Sequence, residues 1–183
     1  MSDRTVVLAA GCFWCLDSVA RRLRGVQAVR SVYTGGSAET AHYEAVCSGG
    51  TDHAEAVEIR FDPDQLPAQV LYEVFFSVHD PTSLNRQGCD VGPQYRSAMF
   101  YRDQEEREEF AAAIAAAQQH FDRPIVTTLE PLGEVYEAEA EHQNFHQRRP
   151  DVGYCHFIIE PKVALLRKHW SHWMRPEMLS SVG

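Results

Sequence analysis

Nowhere in the 183 residues does an apolar run approach the ~18 that a membrane-spanning helix needs, which argues against a helical membrane span. Positive charge is scarce. Lys and Arg number 17 against 26 Asp and Glu, and the net charge of −9 argues against nucleic acid or an anionic membrane surface as partner. Repeats, low-complexity tracts and a convincing linker are missing, so residues 1–183 are expected to form one domain, burying about two-thirds of its unfolded surface. The leading apolar stretch, Val6-Val7-Leu8-Ala9-Ala10, falls short of the ~7 residues of a signal peptide's hydrophobic region. The lipoprotein-like Ala9-Ala10-Gly11-Cys12 is set aside for that reason, and a cytoplasmic protein is expected. The 5 cysteines are an odd number with one close pair, which disfavours both a disulfide framework and a zinc site. Redox chemistry is the better expectation, with no metal or cofactor.

What the chain does contain reads as alternating strands and helices. Residues 5–10 read as a buried strand, 13–24 as a helix with Leu16, Val19, Ala20 and Leu23 on one face, and Val26 to Tyr33 as a second strand. Residues 55–61 alternate as a third strand, Leu66 to Val78 carries helical spacing, and Ser97 to Tyr101 reads as a fourth strand. A charged, alanine-rich helix is predicted from about Asp103 to His120, with Gln104 to Glu109 as a solvated face. A fifth strand is predicted over Ile125 to Leu129, and a short helix over Ala138 to Gln147. The strand-helix-strand-strand-helix-strand order of the first six elements is that of a ferredoxin-like split βαβ plait. The expected fold is therefore α+β, with additional helices and an irregular C-terminal segment. Its tail from Pro161 to Gly183 reads either as an amphipathic covering helix or as a frayed end. The stretch from Thr34 to His53, between two glycine pairs, reads as a long functional loop.

Two positions carry chemistry. Gly11-Cys12-Phe13-Trp14-Cys15 places Cys12 at the amino end of a helix, where free N–H groups and the helix dipole favour a thiolate. Phe13 and Trp14 follow as walls for a small apolar pocket or as plain core. Glu55 lies two residues before Val57, on the face of Val57, Ile59 and Phe61, so burial would raise its pKa and suit it to act as a general acid. At the first residue of a strand, the same carboxyl equally reaches solvent. His142 and His146 stand at metal-ligand spacing but lack a third ligand, so a structural or surface role is expected.

Ordered motifs decide between these readings. Gly11-Cys12-Phe13-Trp14, Tyr33-Thr34-Gly35-Gly36, Cys47-Ser48-Gly49, His53-Ala54-Glu55-Ala56-Val57 and His79-Asp80-Pro81 resemble the methionine sulfoxide reductase A family. So do Arg86-Gln87-Gly88, Asp90, Gln94-Tyr95-Arg96-Ser97 and Gly153-Tyr154-Cys155. The resemblance runs from about Leu8 to Cys155. It implies reduction of the S epimer of methionine sulfoxide, free or in proteins, through a cysteine sulfenic acid, with thioredoxin or another dithiol as donor. By match, Cys12 is the nucleophile and Glu55 the acid that protonates the sulfoxide oxygen. Tyr43 and Tyr95 match the tyrosines that hydrogen-bond that oxygen, Asp90 a supporting carboxylate, and Phe13 and Trp14 the pocket for the substrate's methyl group.

Cys15 and Cys89 stand where the family more often has glycine and asparagine, and each adds a candidate thiol. Cys155, on a C-terminal segment expected to be mobile, is the first choice to resolve the sulfenic acid as a disulfide; Cys15 is the alternative. Two other classes stay open on residues alone: a general disulfide oxidoreductase using Cys12-Phe13-Trp14-Cys15, and a zinc-binding module.

Overall fold

The structure, a computed structural model, describes residues 2–179. The first apolar run forms β1 (Arg4–Ala10), whose alternate side chains feed two cores, Val6, Leu8 and Ala10 on one face and Val7 and Ala9 on the other. Gly11, at φ +86, turns the chain from β1 into α1 (Phe13–Arg21). A Cβ at Gly11 would sit 2.5 Å from the Gln87 side chain, so both the turn and the close approach require glycine. There follow β2 (Val26–Thr34), α2 (Tyr43–Cys47), β3 (Ala54–Phe61) and α3 (Ala68–Ser77). A hairpin of β4 (Arg86–Gln87) and β5 (Asp90–Val91) leads to β6 (Ser97–Tyr101) and α4 (Gln104–Gln118). The chain ends with β7 (Thr128–Pro131), β8 (Val135–Glu137), α5 (Phe145–Arg148) and α6 (Glu160–Trp170).

Six strands form one sheet in the order β7-β6-β1-β3-β2-β8. Its neighbours are antiparallel except β6 and β7. The class is α+β, as expected. The larger core lies on one face, where Leu8, Val57, Ile59, Phe61 and Met99 meet Leu16, Val19, Leu71, Phe75, Phe110 and Leu166 from the helices. On the other face, Val32, Ala54, Ala56, Ala98 and Phe100 are covered by Leu132 and Val135. No helix of the described residues is long and apolar enough to cross a membrane.

Several expectations need correction. The loop of 34–53 contains a 3-10 turn at Ala38–Thr40 and helix α2, because Val46 reaches the main core and rolls its segment into a turn. The helix expected over Ala138–Gln147 is broken at Gln143, whose extended backbone sends its amide inward. There Oε1 accepts from Ser31 N–H at 2.8 Å and Nε2 donates to the Ser31 carbonyl at 2.9 Å, satisfying part of the β2 edge that β8 does not pair. The fifth strand starts three residues later than expected and pairs in parallel. Nor is the C-terminal segment irregular: Cys155–Ile159 is a π-helical turn running into α6. Pro161 offers no N–H to the preceding turn, which widens at that point. Helix α6 buries Val163 and Leu166 as an amphipathic cover, although residues 180–183 of the expected tail lie outside the described residues. The face of Gln104 to Glu109 is not wholly solvated, since Glu106 is buried and meets Arg4 at 3.2 Å.

Candidate active site

Strand phase directs Glu55 inward. It pairs across the sheet with Tyr33, lies on the face of Val57, and is 2% exposed. The reading in which it reaches solvent is therefore overturned. Cys12, 9% exposed, is the residue before the first turn of α1. The next amide, Phe13 N–H, donates to Glu55 Oε1 at 3.2 Å, so nucleophile and acid are tied together through one peptide unit.

Burial pushes the Glu55 carboxyl up to about 8; the Phe13 N–H opposes this, and the charges of Asp90 and Glu139 add to it. Glu55 is thus mostly protonated at neutral pH. The expectation of a stabilised Cys12 thiolate is corrected. Burial pushes that thiol well above its usual range, Glu55 and Cys15 push the same way, and the Trp14 N–H offsets only part. A single helix turn with one donor free for sulfur is weaker than desolvation at this depth.

Phe13 and Trp14 pack among aromatic partners that the sequence did not show. Phe13 lies 5.5 Å from both Tyr33 and His142, ring centre to ring centre. Trp14 stacks on Phe145 at 3.7 Å, meets Tyr154 edge-on at 5.6 Å, and donates its indole N–H to His142 Nδ1 at 3.1 Å. Tyr43 opens α2 at 37% exposure with its ring 4.6 Å from that of His142. Tyr95 closes the 3-10 turn Pro93–Tyr95. The neighbouring Cys47 thiol and then burial raise the pKa of Tyr43, burial raises that of Tyr95, and an ionised Glu55 adds to both. Asp90, in the hairpin, accepts from the Tyr154 hydroxyl at 2.8 Å. All seven residues Cys12, Phe13, Trp14, Tyr43, Glu55, Asp90 and Tyr95 thus converge on one region.

The thiols divide. Cys15 and Cys155 are buried together with Ile159 and Val163 in a small apolar cluster against Trp14 and Tyr154. The Cys15 amide donates to the Cys12 carbonyl at 3.2 Å, and its sulfur lies 3.8 Å from the Tyr154 hydroxyl. Burial raises both thiols, although the Lys162 ammonium charge opposes this at Cys15. Cys155 does not sit on an irregular tail: it is buried at the start of the π-helical turn. Cys89 is exposed.

Glu139 escaped sequence reasoning, while Cys47 and Tyr154 were seen only as members of motifs and His142 only as a metal-spaced histidine. His142 and His146 are instead hydrogen-bonded to Trp14 and to Ser18 (2.7 Å), and no group of three potential metal ligands exists among the described residues. Only spatial neighbours show what these residues hold, because they sit in segments without periodicity.

A model of the family described as peptide methionine sulfoxide reductase matches residues 4–174. A protein of Paenarthrobacter aurescens named peptide methionine sulfoxide reductase MsrA is 51% identical over 93% of this chain and 98% of its own. The crystal structure of Mxr1 from Saccharomyces cerevisiae in reduced form shares 31% identity at a TM-score of 0.77, covering 84% of this chain and 89% of that one. Mxr1 in complex with Trx2 aligns at 24% identity and a TM-score of 0.54, over 78% of this chain and 84% of that one. With cysteine, acid and aromatic wall assembled as described, and similarity over nearly its whole length, the chain belongs to the peptide methionine sulfoxide reductase family.

Proposed function

We propose that the protein reduces the S epimer of methionine sulfoxide, free or in proteins, to methionine, with Cys12 as nucleophile and Glu55 as acid. One observation carries the reading: Glu55, buried and held on the Phe13 N–H at 3.2 Å, has its carboxyl pushed up to about 8, beside a buried cysteine. A sulfoxide oxygen is a poor leaving group until protonated, and a neutral carboxylic acid within reach of the attacked sulfur meets that need. Cys12 attacks the sulfoxide sulfur while Glu55 gives its proton to the oxygen and regains one from the Cys12 thiol. Collapse of the adduct transfers the oxygen, so methionine leaves reduced by two electrons and Cys12 remains as a sulfenic acid. Tyr43 and Tyr95 hydrogen-bond the oxygen as its charge grows. Phe13 and Trp14 hold the methyl group, and Asp90 acts from behind through Tyr154.

A second thiol then attacks sulfenic Cys12, forming a disulfide and releasing water. Cys155 is the resolving residue in this reading and Cys15 its rival; the two thiols pack in one cluster beside Trp14, two residues from Cys12 in the chain. Thioredoxin or an equivalent dithiol restores the thiols, as the complex of the yeast neighbour with Trx2 suggests by precedent. A cytoplasmic setting, where dithiol donors keep cysteines reduced, is part of this reading. The central strand order β6-β1-β3-β2, with α1 and α3 as crossovers, supports a split βαβ plait, and one main core joining α1 to α6 supports a single domain over 1–183.

A disulfide oxidoreductase using the Cys12–Cys15 pair has no use for a buried neutral Glu55. The test is turnover of separated methyl sulfoxide epimers with dithiothreitol. Activity on the S epimer alone, absent in Cys12→Ser, is expected; equal turnover of both epimers, or an active Cys12→Ser enzyme, contradicts the reading.

A further inference from the structure

Helix α2 holds Tyr43 at its first residue, yet the residue before it, His42, offers no side-chain cap. The first amides of any helix lack partners within it and need one from outside. Here Glu139 supplies it: Oε2 accepts from Tyr43 N–H at 2.9 Å. The other oxygen, Oε1, accepts from the hydroxyl of Tyr33 at 2.8 Å. Tyr33 is fully buried on the main sheet, its ring 5.5 Å from that of Phe13 and its backbone paired with Glu55. Glu139 also begins the 3-10 turn Ala140–His142, whose last residue stacks on the Tyr43 ring at 4.6 Å. One short turn therefore grips Tyr43 by its backbone and its ring while its carboxylate is anchored to the strand beside the acid.

We propose that Glu139 is a positioning residue of the sulfoxide-oxygen pocket, tying the amino end of α2, and with it Tyr43, to Tyr33 on the sheet. Its two hydrogen bonds go to Tyr43 and Tyr33, and its hold on the oxygen pocket runs through Tyr43. The inference rests on the assignment of Tyr43 as a donor to the oxygen. The segment around Tyr43 is a five-residue helix between irregular stretches, too short to be stable alone, so its placement depends on such external ties. Glutamine at position 139 keeps an oxygen for the Tyr43 amide and an NH2 group that can donate to Tyr33, so the tether survives in weaker, uncharged form.

The test is a double-mutant cycle read on reduction of an S-sulfoxide in single turnover, with thermal melting to establish that each variant folds. Glu139→Ala is expected to slow the reduction step about tenfold with KM nearly unchanged, the scale of one charge-assisted hydrogen bond. Glu139→Gln should recover most of that loss. In a Tyr43→Phe background, Glu139→Ala should cost less than about twofold more, because the group it positions is already gone. Full additivity, or a Glu139→Ala enzyme as fast as the parent, overturns the proposal. Should Glu139→Ala fail to fold, Glu139→Gln in the two backgrounds decides on the same criterion. A parent enzyme inactive on S-sulfoxide overturns the functional reading instead, which separates the two failures.

Discussion

Replacing Glu55 by glutamine removes one proton and almost nothing else. Glutamine keeps an oxygen to accept from Phe13 N–H, the bond that measures 3.2 Å with Glu55, so the turn before α1 should hold. With its carboxyl pushed up to about 8, Glu55 is roughly nine-tenths protonated at pH 7. Loss of a positioned general acid slows a proton-transfer step about 10²- to 10⁴-fold. The parent's single-turnover rate should be flat below pH 7 and fall about tenfold per unit above about 8, as the acid form disappears. The glutamine variant should be slow and lack that limb. Stability should move the opposite way. Because burial raises the folded-state pKa from 4.5 to about 8, the folded protein holds a proton that the unfolded chain has released in that window. The parent therefore loses stability as pH rises from about 4.5 through 8, by an amount on the order of 5 kcal/mol at most. Glu55→Gln escapes that loss, so in urea titrations it should gain on the parent as pH rises and level off above about 8. A variant retaining more than about a tenth of the parent rate, or losing stability to the parent at high pH, would refute the account of Glu55 as a neutral acid in the resting enzyme.

Other outcomes follow from the same geometry. Tyr43→Phe and Tyr95→Phe should each slow reduction about 10- to 100-fold while leaving the fold intact, and the double variant should be slower than either, as single-turnover rates would check. Trp14→Ala removes the stack on Phe145 and the hydrogen bond to His142; KM for methionine sulfoxide should rise at least about tenfold, and an unchanged KM would count against the methyl pocket. Peptide mapping after one equivalent of S-sulfoxide should find Cys12 linked to Cys155; a Cys12–Cys15 link with Cys155 still open to alkylation would move the resolving role to Cys15. Leu166→Ala should destabilise the whole protein by about 2–5 kcal/mol in one cooperative transition, since α6 completes the main core.

Periodicity made much of this fold legible. Val57, Ile59 and Phe61 declared the face of β3 and made an inward Glu55 one of two even readings, which the ordered motifs decided and its burial bears out. Helix α4 was legible from its alanine-rich run, and Asp103 caps it by accepting from Glu106 N–H at 2.8 Å. What failed were elements whose shape is set by distant partners. Gln143 breaks a helix in order to pair with Ser31, more than a hundred residues away, and α2 forms where Val46 reaches the core. The Cys12 thiolate was misjudged for a related reason: a helix end can be read from sequence, but the burial that outweighs it cannot. The roles of Glu139 and, beyond its motif, of Tyr154 could not be read because they lie in single hydrogen bonds to Tyr33, Tyr43 and Asp90.

The central claim is that the sulfoxide oxygen passes to Cys12. The direct measurement treats a Cys15→Ser/Cys155→Ser double variant with one equivalent of each methionine sulfoxide epimer, traps sulfenic acid with dimedone and maps the adduct by mass spectrometry. The account predicts one adduct per protein, on Cys12, formed with one equivalent of methionine from the S epimer and none from the R epimer. Methionine released without label on Cys12, or label and methionine arising equally from both epimers, would contradict it.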